Sequence, residues 1–196
     1  MEFRLVYQGS LPSATASNPK PKEQQRIRKV FHHQLKEYWR THPQLKQFMD
    51  GSWLNGTSVI DRVSRDYMRG PHRFMPLAKM KTDSFCSLDI TFLRRDFPGT
   101  IVMQGGDLDN RLKTLLDALR IPDSLNGLSA TVEEEYDPMF VLLQDDAQIT
   151  KLTVVTDRLL APLNEGEMQH DVVLIINVHL YIGTNVTQVV HNPGSA

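Results

Sequence analysis

The chain has 196 residues, 40% of them hydrophobic and 23% charged, enough to bury a core without disulfide staples. A single cysteine, Cys86, excludes an internal disulfide and points to a reducing, cytoplasmic setting. The formal net charge of −1 is unpromising for a nucleic-acid binder, but it hides a division. Residues 1–82 hold 15 Lys and Arg against 6 Asp and Glu, and residues 83–196 hold 7 against 17. A basic half can follow phosphates while an acidic half collects cations. The plainer alternative is that the halves neutralise each other in the fold.

Phe3 to Tyr7 reads as a short strand, and Gly9 to Pro21, rich in Ser, Pro, Asn and Ala, as a mobile loop. From Lys22 to Arg40, Ile27, Phe31, Leu35, Tyr38 and Trp39 recur at helical spacing. The opposite face carries Arg26, Arg28, Lys29, Lys36 and Arg40. His32 and His33 are adjacent, without metal-binding spacing, and read as surface or structural residues. Residues 41–57 form a connection with about one helical turn, and residues 58–68 a second helix with Arg62, Arg65 and Arg69 on its polar side.

Phe85 to Leu93 alternates cleanly, which predicts a half-buried strand with Cys86 as a small buried hydrophobe. A turn at residues 94–99 follows, and Thr100 to Met103 extends the sheet. Leu112, Leu115, Leu116 and Leu119 mark a helix on the core, and Pro122 to Pro138 a polar loop containing Glu133, Glu134 and Glu135. Met139 to Leu143 and Ile149 to Thr156 read as strands, and Val172 to Ile182 as a central one. Residues 188–196 read as a disordered tail. The expected architecture is α+β: a single mixed β-sheet with helices packed on it, in one domain over residues 1–187. No apolar run reaches the ~18 residues of a membrane span, and the start of the chain lacks a signal-peptide pattern.

The informative segment is Gly105-Gly106-Asp107-Leu108-Asp109-Asn110-Arg111-Leu112-Lys113, continuing to Asp117. Two carboxylates at i and i+2 stand at the mouth of a helix, where either can cap exposed N–H groups. Asp109, Lys113 and Asp117 share one face at four-residue intervals. Taken alone this is ordinary helix stabilisation, worth under ~1 kcal/mol per contact. An EF-hand is excluded, because Arg111 and Leu112 replace a required oxygen ligand and glycine. The second segment, Gln144-Asp145-Asp146-Ala147-Gln148-Ile149, sets two repelling aspartates between strands. Asp107, Asp109 and Asp146 together supply hard oxygen ligands suited to Mg²⁺ or Mn²⁺ rather than zinc.

The series Asp107-Leu108-Asp109-Asn110-x-x-Lys113-x-x-x-Asp117-Ala118-Leu119, followed by Asp145-Asp146-Ala147-Gln148-Ile149, resembles the signature of the RusA family of Holliday-junction resolvases. The resemblance is firmest over Phe85 to Thr156. It implies a RusA-like fold, Asp107, Asp109 and Asp146 as metal-binding catalytic carboxylates, and Lys113 as the essential lysine. Asn110, Asp117 and Asp145 take supporting parts. It also implies a homodimer with two acidic sites, cutting opposed strands of a four-way DNA junction to leave 5′-phosphates, in a bacterial or phage setting. Lys20, Lys22, Arg26, Arg28, Lys29, Arg62, Arg65, Arg69 and Arg73 are the candidate DNA contacts. Phe97 reads either as a wedge between unstacked bases or as a buried ring.

The chain departs from the family in length. Residues 41–82 and 121–138 look inserted, and the second insertion adds Glu133, Glu134, Glu135 and Asp137 near the expected site. Two alternatives therefore stay open: a related metal nuclease for flaps or forks, and a branched-DNA-binding module without turnover.

Overall fold

Strict alternation builds the main sheet. From Ser84 to Arg94 every second residue is buried, so Cys86, Leu88, Ile90 and Phe92 face the core and Ser87, Asp89 and Thr91 face outward. The computed structural model describes residues 1–53, 57–95, 107–161 and 171–183. In chain order the elements are β1 (Glu2–Ser10), α1 (Pro21–Thr41), α2 (Pro43–Asp50), β2 (Ser52–Trp53), β3 (Thr57–Ser58), α3 (Val59–Ser64), β4 (Met68–Arg69), β5 (His72–Ala78), β6 (Ser84–Arg94), α4 (Asp107–Leu119), β7 (Met139–Leu143), β8 (Ile149–Arg158) and β9 (Asp171–Ile182). The main sheet has the order β1-β9-β6-β8, with β6 antiparallel to β9 and parallel to β8.

The α+β class agrees with expectation; a single sheet does not. A second, three-stranded sheet of order β4-β5-β7 stands beside the first, and β2 and β3 form a small ribbon. Residues 41–82 thus supply core structure: Phe74 to Ala78 are all buried, with β5 parallel to β7. One core joins the two larger sheets, with Leu5, Leu88 and Ile176 meeting Met75, Leu77 and Leu142. α1 lies over it, inserting Ile27, Phe31, Leu35 and Trp39 as its spacing predicts.

Three further expectations change. The second helix stops at Ser64, and the first connection contains the eight-residue α2 rather than a single turn. The loop after β1 is docked: Leu11 and Ala14 are buried, Ala14 N–H donates to the Asn110 carbonyl at 3.2 Å, and Thr114 Oγ1 donates to the Pro12 carbonyl at 2.8 Å. Cys86 and His32 are structural as expected. Burial pushes the Cys86 thiol up to about 12, and His32 Nδ1 accepts the Phe140 N–H at 2.9 Å. The turn near Phe97, the strand expected at Thr100–Met103 and the tail lie outside the described residues.

Candidate metal centre and nucleic-acid interface

α4 carries the first motif on a firmly held helix. Leu108, Leu115, Ala118 and Leu119 are buried, as are Arg111 and Thr114 on the same side. The opposite side presents Asp109 and Lys113 to solvent. Neither side chain makes a hydrogen bond or ion pair among the described residues, whereas their neighbours are committed. The Asn110 carbonyl receives the Ala14 N–H and the Thr114 hydroxyl. Asp117 accepts from Gln24 Nε2 at 3.0 Å and from Arg120 Nη2 at 3.0 Å, joining α4 to α1. Asp107 opens the helix, and its side chain lies outside the described residues.

The second motif divides in the same way. Asp145 caps a single 3-10 turn (Asp146–Gln148), its carboxylate accepting the Ala147 N–H at 2.9 Å. Gln148 is fully buried; its Oε1 receives the Gln144 and Asp145 N–H groups, and its Nε2 donates to the Ser84 carbonyl. Asp146 is exposed and its side chain makes no such contact among the described residues. Gln148 stands within the motif, yet its residue type alone suggests no part for it. Its signal is position: it follows the aspartates and closes the capping box that holds Asp146 outward.

The chain leaving α4 meets the strand entering the second motif. Ile121 N–H donates to the Leu143 carbonyl at 3.1 Å, and Gln144 N–H to the Ala78 carbonyl at 2.9 Å. Asp109 stands in the first turn of α4, while Leu143 is bonded beyond its last turn. Among the described residues, no three His, Cys, Asp or Glu side chains gather as a metal-holding group. Asp109 and Asp146 offer the hard oxygens that Mg²⁺ takes, and the third expected donor, Asp107, falls outside.

The basic candidates sort by what already holds them. Arg28 is the clear correction. Expected on the outer face of α1, it is 2% exposed and donates to the Asp117 and Arg120 carbonyls and to Gln25 Oε1. It caps the end of α4, where a cation is favoured. Burial first, and then Arg120, lower its guanidinium to about 10. Arg73 is bound by Asp137 and Asp61, each at 2.8 Å, which raise its pKa despite partial burial. Arg69 donates to the Pro122 carbonyl, Lys29 pairs with Glu133 at 2.6 Å, and Arg26 engages Glu23, Tyr7 and Ser10. The Lys29–Glu133 and Arg73–Asp137 pairs cross the division between basic and acidic halves, so part of that charge does neutralise internally. Lys22, Arg62 and Arg65 are exposed and Lys20 half-buried, with no such pair among the described residues.

A cleft of about 390 Å³ runs beside Lys113, between the docked loop, Gln24, Asp117, Arg120 and residues 122–126. Its far wall is fixed where Gly127 crosses the start of α1. Its φ is +83°, and a Cβ there would stand 2.4 Å from the Pro21 carbonyl oxygen, so only glycine fits. Comparisons with family models, curated proteins and solved structures find no match to this chain.

Proposed function

We propose that this chain is a divalent-metal-dependent endonuclease for branched DNA, with the four-way junction as its first substrate. The supporting observation is the sorting within the two motifs. Asp109, Lys113 and Asp146 face solvent, while Asp117 and Asp145 are held by internal partners. The residues with structural duties are the ones assigned supporting parts, and the three outward groups are the ones that phosphodiester chemistry needs.

Asp109 and Asp146, with Asp107, are the residues to hold Mg²⁺ or Mn²⁺. A bound ion of this kind lowers the pKa of water and offsets charge on a phosphate. Lys113 is placed to donate to a non-bridging phosphate oxygen as negative charge develops. Gln148 holds the turn bearing Asp146, and Asp117 fixes α4 against α1. Lys20, Lys22, Arg62 and Arg65 are the cations left to follow the DNA backbone. Paired cuts across a junction call for a homodimer with two such sites. A second reading, cleavage of flaps or forks, draws support from the cleft beside Lys113, because residues 122–126 wall it on one side.

The test is cleavage of labelled four-way junction and flap DNA, with Mg²⁺ and with EDTA, by the wild type and by Asp109→Asn. Symmetric, metal-dependent nicks that the variant lacks are expected. Binding without nicks on either substrate would leave a DNA-binding module instead.

A further inference from the structure

β8 is the outer strand of the main sheet, and among the described residues nothing pairs with its outer edge. Such an edge is a template for another strand, and proteins blunt it with short strands, proline, bulges or inward charges. Between the irregularity at its start and Arg158 at its end, which the register with Arg94 sets on the inward face, β8 has none of these. It is ten residues long and free of proline, and Leu152 and Val155 remain 41% and 59% exposed. The charges on its outward face, Lys151 and Asp157, are of opposite sign.

We infer that a second copy of this chain pairs antiparallel with β8 about a twofold axis through Val154, merging two four-stranded sheets into one. The register with β6 sets Lys151, Thr153, Val155 and Asp157 on one face, beside Ser87, Asp89, Thr91 and Leu93. A twofold axis through Val154 places Lys151 opposite the partner subunit's Asp157, and the same pair recurs on the other side of the axis. Thr153 comes opposite the partner subunit's Val155, covering the most exposed apolar residue of the strand. Moving the axis one residue earlier sets Lys151 against Val155 and Asp157 against Ile149; one residue later, against Leu159 and Thr153. A half-residue shift brings the outward face of one strand beside the inward face of the other. Charge complementarity therefore selects a single register. Lys151 reaches Asp89 of β6 on this face at 3.3 Å, so its ammonium lies on the outward face of the sheet and would bridge Asp89 to the partner subunit's Asp157.

The pairing deepens the two-site reading by giving its homodimer a contact surface, and it is tested without reference to cleavage. Sedimentation equilibrium of the full chain should show a dimer. Lys151→Asp and Asp157→Lys each set like charges opposite one another twice per dimer. Each should raise the dissociation constant about tenfold. The double exchange, which restores opposite charges, should return it toward the wild-type value. Both side chains are exposed, so circular dichroism should stay unchanged in all three variants. A wild type that is monomeric throughout, or a double variant no tighter than the singles, overturns the pairing. Junction nicking by the same samples is read separately: a rescued dimer that never nicks sinks the nuclease reading alone, and an active monomer sinks the pairing alone.

Discussion

Ile121 and Leu143 are bonded backbone to backbone at 3.1 Å, so the exit from α4 and the approach to the second aspartate motif are one connected piece. The proposed metal site would have to draw Asp109 and Asp146 together from segments tied beyond the far end of that helix. Titrated Mn²⁺ should therefore broaden the amide resonances of Asp109 and of Asp146 at the same concentration. Broadening confined to one of them would divide the site.

Within one motif, neighbouring aspartates should fail in different ways. Asp109→Asn should fold as the wild type does and lose at least about a hundredfold in cleavage, the upper range for groups that support a metal. Lys113→Ala should lose about 10²-fold through weaker charge stabilisation. Asp117→Asn should instead cost about 1–2 kcal/mol of stability, because it weakens the contacts to Arg120 and Gln24. Urea unfolding and single-turnover kinetics on the three proteins separate these outcomes.

Gln148 satisfies two N–H groups and one carbonyl from a fully buried position. Gln148→Leu keeps the volume and removes all three contacts, at a cost of about 3 kcal/mol. Urea midpoints measure that loss. Unchanged stability would show that the turn before β8 stands without it.

Burial, and then Lys36 and His33, lower His32 to about 4 from its ordinary 6.5. The unfolded chain takes up this proton at higher pH than the folded one, so protonation favours unfolding. His32 thus contributes stability that is present above pH 6.5 and is lost as pH falls toward 4. Melting temperature should drop across that window, and drop less in His32→Asn. Parallel curves for the two proteins would assign the acid sensitivity elsewhere.

Arg62 and Arg65 stand exposed at the end of α3, without a partner among the described residues. Reversing both to Glu should weaken DNA binding and make the plot of log affinity against log salt less steep by about 2. An unaltered slope would place the DNA on another face.

Much of the fold was legible where one period dominates. Phe85 to Leu93 alternates because one face of β6 is buried, and α1 repeats apolar residues because one stripe of it is. β5 escaped notice because Phe74 to Ala78 are all buried, which erases alternation, and because Pro76 argues against a strand. Without β5, the second sheet could not be anticipated. Arg28 reads as an outer-face residue from the helical period of α1, because the reason for its burial, the open carbonyls at the end of α4, comes from a distant part of the chain. In the site, residue types and spacing were readable, but the separation of Asp109 and Asp146 from Asp117 and Asp145 depends on partners brought in by folding.

The loop after β1 grips the helix that carries Asp109, through Ala14 to the Asn110 carbonyl and through Thr114 to the Pro12 carbonyl. It therefore works as a clasp. Displacing residues 12–14 breaks both ties at once, and the Asn110 carbonyl, one residue after Asp109, then keeps only partners from its own helix.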